Sequence, residues 1–235
     1  MGLRNFLVRW RYQITGGFRH RRFDFFWETL GRHVGTRWWL DLGGGPGSYL
    51  LSELRARGQS APRMVLLDMG EAELLEARRR FPHVQCVRAD GEHLPFRDDA
   101  FNLVFCNSVI EHVAHPAVLA AEIRRTGRRF FVQTPNGNFP LESHSHLPLP
   151  FFRRMPPRLQ RLMCRLADAQ WDYIMSVHYL DERELQNYFP DARLIRERAF
   201  GLTKSFYLIT APGVPDAAAW VAPRSYRENV RTEDA

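Results

Sequence analysis

The sequence predicts an α/β fold, a parallel sheet with helices on both faces, and three observations predict it. Short apolar runs of strand length alternate with helical patterns from Trp38 to Thr134. The first run, Trp38-Trp39-Leu40-Asp41-Leu42, breaks into Gly43-Gly44-Gly45-Pro46-Gly47-Ser48 before a helical pattern starts, which reads as strand, tight turn, helix. Acidic residues close or follow the first three runs, at Asp41, Asp68 and Asp90. In an open α/β sheet, ligands bind beyond the carboxyl ends of the strands, where those acids fall.

The elements follow in chain order. Residues 1–36 interleave Arg4, Arg9, Arg11, Arg19, Arg21 and Arg22 with Phe6, Trp10, Phe18, Phe23, Phe25, Phe26 and Trp27 at spacings closer to helix than to strand. We read a basic helical arm laid over the cleft with its arginines in water. After the glycine turn, Tyr49, Leu50, Leu51 and Leu54 supply the apolar side of a helix that closes near Gly58. Met64–Asp68 is a buried-strand pattern, Glu71–Arg80 a charged helix, Val84–Arg88 a third strand and Leu103–Asn107 a fourth. Ser108–Val113 enters a helix, and Arg128–Thr134 is a fifth strand broken by Pro135-Asn136-Gly137-Asn138. Residues 136–179 are too many for a plain loop and are expected to form a lid with elements of its own. Within it Leu159, Leu162, Met163 and Leu166 repeat at helical spacing, with Arg158, Arg161 and Arg165 on other faces. That stripe is expected to pack over the active site, with a membrane surface as the alternative. A helix opens at Asp181, and 192–197 and 204–211 form the last two strands. Residues 37–211 thus form the ligand-binding domain, and 212–235, rich in Pro, Ala and charge, a loose tail.

Glycine lets the main chain turn tightly and lets a ligand approach it closely, and a following helix presents free amides to that ligand. A dinucleotide fingerprint beginning at Gly43 and Gly45 would want its third glycine at position 48, where Ser48 stands. By itself the turn suits a nucleotide site or a structural role equally. Asp68, about 20 residues on, is placed to hold both hydroxyls of a ribose, or else to cap the next helix.

The sequence D-L-G-G-G-P-G at 41–47, with L-P-F-x-D-x-x-F-x-L-V at 94–104 and E-H-V at 111–113, resembles the class I S-adenosylmethionine-dependent methyltransferases. The resemblance is to the type 11 branch, which includes the ubiquinone and menaquinone biosynthesis enzymes and many natural-product methyltransferases. It implies a Rossmann-like, seven-stranded, mostly parallel sheet with an antiparallel last strand, and S-adenosylmethionine as cofactor. It also implies Asp41, Gly43, Gly45 and Gly47 at the methionine end, Asp68 and Met69 at the ribose, Asp90 and Gly91 at the adenine, and Asn107 at the sulfonium. Asn102 departs from the pattern, standing where the family usually carries Asp. His112 is the candidate proton acceptor, joined by His144 and His146 on the lid. Glu142, His144 and His146 could share a face of an extended segment, but no further ligand is identifiable, and Ser108 replaces the first glutamate of the E-x-x-E-H of metal-using relatives. No metal is therefore assigned.

The chain of 235 residues carries a formal net charge of +7, almost wholly from arginine, since Lys204 is its single lysine. Arginine suits phosphate, so RNA and anionic lipid are candidate partners beside a small-molecule acceptor. Cys86, Cys106 and Cys164 are odd in number and far apart, which excludes a disulfide framework and fits a reducing, cytoplasmic setting. No apolar run approaches the roughly 20 residues of a membrane span. The expected function is methyl transfer to a small molecule, at oxygen, on an apolar or lipid-like acceptor. RNA methylation and a non-catalytic membrane- or partner-binding module are the competing readings.

Overall fold

The computed structural model describes residues 17–35, 37–140, 151–166 and 171–210. At its centre are β1 (Trp39–Leu42), β2 (Met64–Asp68), β3 (Gln85–Arg88), β4 (Leu103–Asn107), β5 (Phe130–Pro135), β6 (Arg193–Ala199) and β7 (Leu202–Ile209). They form one sheet in the order β3-β2-β1-β4-β5-β7-β6. The first five strands are parallel, which is why β1, β2, β4 and β5 read as near-continuous apolar runs: helices cover both of their faces. β7 runs antiparallel to both β5 and β6. The strand order reverses between β1 and β4, so crossovers leave the sheet toward opposite faces there and open a crevice at the carboxyl ends.

On one face lie α1 (residues 17–29), α2 (Tyr49–Ala56) and α3 (Glu71–Arg80). Phe23, Phe26, Leu50, Leu54 and Leu74 from these helices pack on Trp39, Leu66, Phe105 and Phe131 from the sheet. The other face is covered by α4 (Pro116–Thr126) and α7 (Glu182–Tyr188), whose Leu119, Ile123 and Leu185 pack on Leu40, Val104, Val132 and Leu208. The Phe26 ring meets Phe105 and Phe131 edge-on at 4.9 and 5.2 Å. Burial of such a ring contributes on the order of 2–3 kcal/mol. Thus α1 is part of the core, and its Arg22, expected in water, is buried with it.

Two local expectations are corrected. The segment after β4 makes only a 3-10 turn, Ile110–His112, and the helix waits until Pro116. Ser108 takes φ 56°, which interrupts any helix there, and Pro116 supplies the preset φ of a first helical turn. Between β5 and α7 the chain forms a 3-10 turn, Phe152–Arg154, followed by α5 (Pro157–Leu166) and α6 (Trp171–Ser176). These enclose a small core of Phe152, Cys164 and Ile174. The buried face of α5 carries Gln160 and Cys164, so the leucine stripe expected over the active site faces outward instead. Leu159, Leu162 and Leu166 are 40, 49 and 70% exposed. The reversal has a polar cause: Gln160 Nε2 donates to the Phe152 carbonyl at 3.1 Å, and Arg161 lies over the Trp171 ring at 4.3 Å. Glu142, His144 and His146 fall outside the described residues, as do the first residues of the basic arm and the tail.

Candidate functional site

The loop between β1 and α2 is built on two left-handed glycines, Gly43 at φ 69° and Gly45 at φ 55°. Gly43 N–H donates to the Leu67 carbonyl at 2.8 Å, and a Cβ there would fall 2.4 Å from Val109 Cγ2. Ser48 caps α2, accepting from Leu51 N–H at 3.1 Å while its own hydroxyl donates to Asp41 Oδ2 at 2.5 Å. Asp41 is buried beneath the loop, so close that a Cβ on Gly44 would lie 2.4 Å from Oδ2. Burial pushes its carboxyl up to about 7, with Asp68 adding to the rise and the Ser48 hydroxyl opposing it. Asp41 therefore supports the loop from below, whereas Gly47 has nothing within 4 Å of where a Cβ would stand and opens on free space.

Asp68, at the end of β2, accepts from Gly45 N–H at 3.1 Å through Oδ2 and from Gly70 N–H at 3.0 Å through Oδ1. It thus both faces the glycine loop and closes the turn into α3, whose N-cap position is taken by Gly70 without a side-chain cap. Met69 beside it is exposed at the rim, its carbonyl accepting from Arg88 Nε at 3.1 Å. Asp90 follows β3 in the neighbouring position, with Ala89 N–H donating to the Asp68 carbonyl at 3.2 Å. The Glu92 N–H, donating at 2.9 Å, and then the His93 ring hold the Asp90 carboxyl below the usual carboxylate range. Gly91 is small for a reason the sequence did not show: a Cβ would sit 3.0 Å from Leu119 Cδ1, so the glycine lets α4 approach.

At the end of β4, Asn107 Oδ1 accepts from Arg22 Nη1 at 2.8 Å. Arg22 was not singled out for this role, although Phe18, Arg22 and Phe26 stand at i, i+4, i+8 on one side of α1, which was the available signal. Arg22 also pairs with Glu197 at 3.8 Å, and Glu197 with Lys204 at 3.2 Å. Burial drives Lys204 down to about 8 despite Glu197, while Arg22 and Lys204 keep the Glu197 carboxyl low against its own burial.

Glu111 is fully buried, accepting from Thr134 Oγ1 at 3.0 Å, and its carbonyl accepts from His178 N–H at 2.9 Å. It ties the turn after β4 to β5 and to the segment leading into α7. His112 is exposed and stacks on Tyr173 at 5.6 Å. Beside this turn, Asn136, Asn138, Arg153, Tyr179 and Thr203 line a polar cavity of about 360 Å³. No group of three or more His, Cys, Asp or Glu side chains is set to hold a metal among the described residues.

Asp41 and Asp68 contact the glycine loop, and Asp90 and Asn107 stand at the carboxyl ends of β3 and β4. In a chain with 33 basic residues, neither Asp41 nor Asp68 is in an ion pair with a described residue. Acids left without a cation beside an open cradle fit a positively charged nucleoside such as S-adenosylmethionine.

Residues 40–129 match the family model described as a methyltransferase domain. The chain is 35% identical over 105 residues to an uncharacterized methyltransferase of Mycobacterium marinum, a match covering 45% of this chain and 40% of the relative. It is 28% identical over 198 residues to the demethylmenaquinone methyltransferase of Clavibacter sepedonicus, covering 79% of this chain and 76% of that one. The chain thus spans less than half the length of the first of these curated relatives. The fold matches the crystal structure of magnesium protoporphyrin IX methyltransferase from Synechocystis PCC 6803 with a TM-score of 0.54 at 12% identity, covering 83% of this chain and 84% of that one. The matched region runs from β1 through the glycine loop and the E-H turn, on the sheet order just described, so this part of the chain is similar to methyltransferase domains.

Proposed function

We propose that the chain transfers a methyl group from S-adenosylmethionine to the oxygen of a small-molecule acceptor with an apolar or lipid-like body. The observation that carries this reading is the contact between Asp68 and the Gly45 amide, which brings an acidic strand end and the glycine loop to one crevice. The 28% identity to a demethylmenaquinone methyltransferase supports a small-molecule acceptor. When bound, the cofactor supplies an electrophilic methyl carbon on a positive sulfur. The residues of the chain have three tasks: Asp41 and Asp68 hold the loop and balance positive charge, Asn107 fixes the end of β4, and the crevice excludes water. Positioning of this kind can supply about 7–11 kcal/mol of barrier lowering. In the proposed reaction His112 would take the hydroxyl proton of the acceptor as its oxygen accepts the methyl group.

The test is incubation of the purified chain with methyl-labelled S-adenosylmethionine and fractionated cell extract. Label entering the solvent-extractable fraction is expected, in a base-stable ether or a base-labile ester. A label sensitive to ribonuclease would select RNA instead, and absence of cofactor binding by calorimetry to well-folded protein would remove the proposal. Replacing His112 by Gln should lower kcat at least about tenfold with little effect on cofactor affinity if it takes the proton.

A further inference from the structure

We infer that the outward face of α5 is a docking surface for an anionic lipid membrane, an inference that stands apart from the identity of the acceptor. Successive residues of an α-helix are rotated by about 100°. Gln160 and Cys164 mark the inward direction of α5. Leu159, Leu162 and Leu166 then project from the opposite side as one stripe, and Arg158, Arg161 and Arg165 form a second stripe beside it. The leucines are 40, 49 and 70% exposed, and Phe151, just before the helix, is 50% exposed. A helix that exposes three leucines in a row buries nothing by doing so, since its own packing needs are met by the small core beneath it.

The charge beside the stripe is one-sided. No acidic residue occurs between Glu142 and Asp168, whereas Arg153, Arg154, Arg158, Arg161 and Arg165 all do. None of these five is in an ion pair with a described acid. Asp172 on α6 is the next acidic residue along the chain among those described. An apolar stripe flanked by arginines lies flat in a lipid interface, with leucines entering the acyl boundary and guanidinium groups meeting phosphate. Charge complementarity selects an anionic lipid surface as the occupant: a second copy of this chain would bring the same arginines face to face. The placement is also apt, because α5 belongs to the insertion between β5 and α7, beside the carboxyl ends of β4 and β5.

The experiment is flotation of the full chain with phosphatidylcholine vesicles, with and without about one-third phosphatidylglycerol, at low and high salt. Binding to the anionic vesicles that weakens with salt is expected. Leu162→Asp combined with Leu166→Asp should weaken it at least about tenfold. Arg158→Glu combined with Arg165→Glu should weaken it by more than about twentyfold, since each arginine near such a surface is worth roughly a fivefold change in partitioning. Because all four positions are exposed, both variants should keep the parent circular-dichroism spectrum and melting temperature. Failure of the parent to float with anionic vesicles at low salt would overturn the inference. So would flotation of both variants at the parent level, or a parent dimer in sedimentation that only the leucine variant dissociates.

Discussion

At the residue scale the most exacting feature is Asp41, a carboxyl buried under the glycine loop and pushed up to about 7 by burial, with Asp68 contributing. Its folded pKa lies above the unfolded value of about 4, so the folded state binds the proton more tightly. The stability this contributes is fully present below about pH 4 and is lost as pH rises toward 7, amounting to a few kcal/mol at most. Asp41→Asn, which keeps the shape and an acceptor for Ser48, should flatten that pH dependence in urea unfolding between pH 4 and 7. A bound sulfonium would favour the ionised form, so cofactor binding should release a proton below pH 7 and tighten as pH rises to about 7. Calorimetry in buffers of differing ionisation enthalpy reads this directly. Proton uptake, or affinity independent of pH in this range, would contradict the placement of Asp41 beside the cofactor.

At the element scale, α1 shows what a sequence discloses and what it conceals. The glycine loop, the acidic strand ends and the succession of strands along the chain were legible because each is local: a short apolar run, a turn residue with a special conformation, a carboxylate at a fixed offset. The role of α1 was not, because its arginines and aromatics fit a surface helix as well as a core one, and only the sheet face it meets decides between them. The orientation of α5 was missed for the related reason that a leucine stripe marks an amphipathic helix without saying which side is wet. Arg22 gives α1 its register on the sheet, joining Asn107 at 2.8 Å and Glu197 at 3.8 Å. Arg22→Met would leave Glu197 with Lys204 as its one cation among the described residues, beside the Tyr207 and Ser205 side chains, in a buried site where breaking an ion pair costs about 3–5 kcal/mol. We expect a loss of that size in urea unfolding, partly recovered in the double variant with Glu197→Gln. Cofactor affinity should fall too, because Asn107 loses the donor that orients it. Equal stability of the single variant and the parent would mean that the cluster does not anchor α1.

At the scale of the whole molecule, the sheet has two apolar faces and one of them depends on α1 for cover. Phe25 stacks on Tyr207 at 5.3 Å, and Phe26 touches Trp39, Phe105 and Phe131. Together these contacts reach from β1 across β4 and β5 to β7. Removing residues 1–30 would strip Phe23, Phe25, Phe26 and Leu30 from that face and expose several large side chains of the sheet at once. Each of the three lost rings amounts to about 2–3 kcal/mol of burial and Leu30 to about 2, so the four residues together approach the entire net stability of a typical domain. The truncated chain should therefore be insoluble or expanded, with loss of near-ultraviolet dichroism, although every residue assigned to the crevice is still present. Conversely, saturating the full chain with S-adenosylmethionine at 100 times Kd should stabilise it by about 2.7 kcal/mol. If the truncated chain instead stayed monomeric, melted cooperatively and bound the cofactor with parent affinity, α1 would be an appendage after all, and the crevice would owe its shape to the sheet and the loop alone.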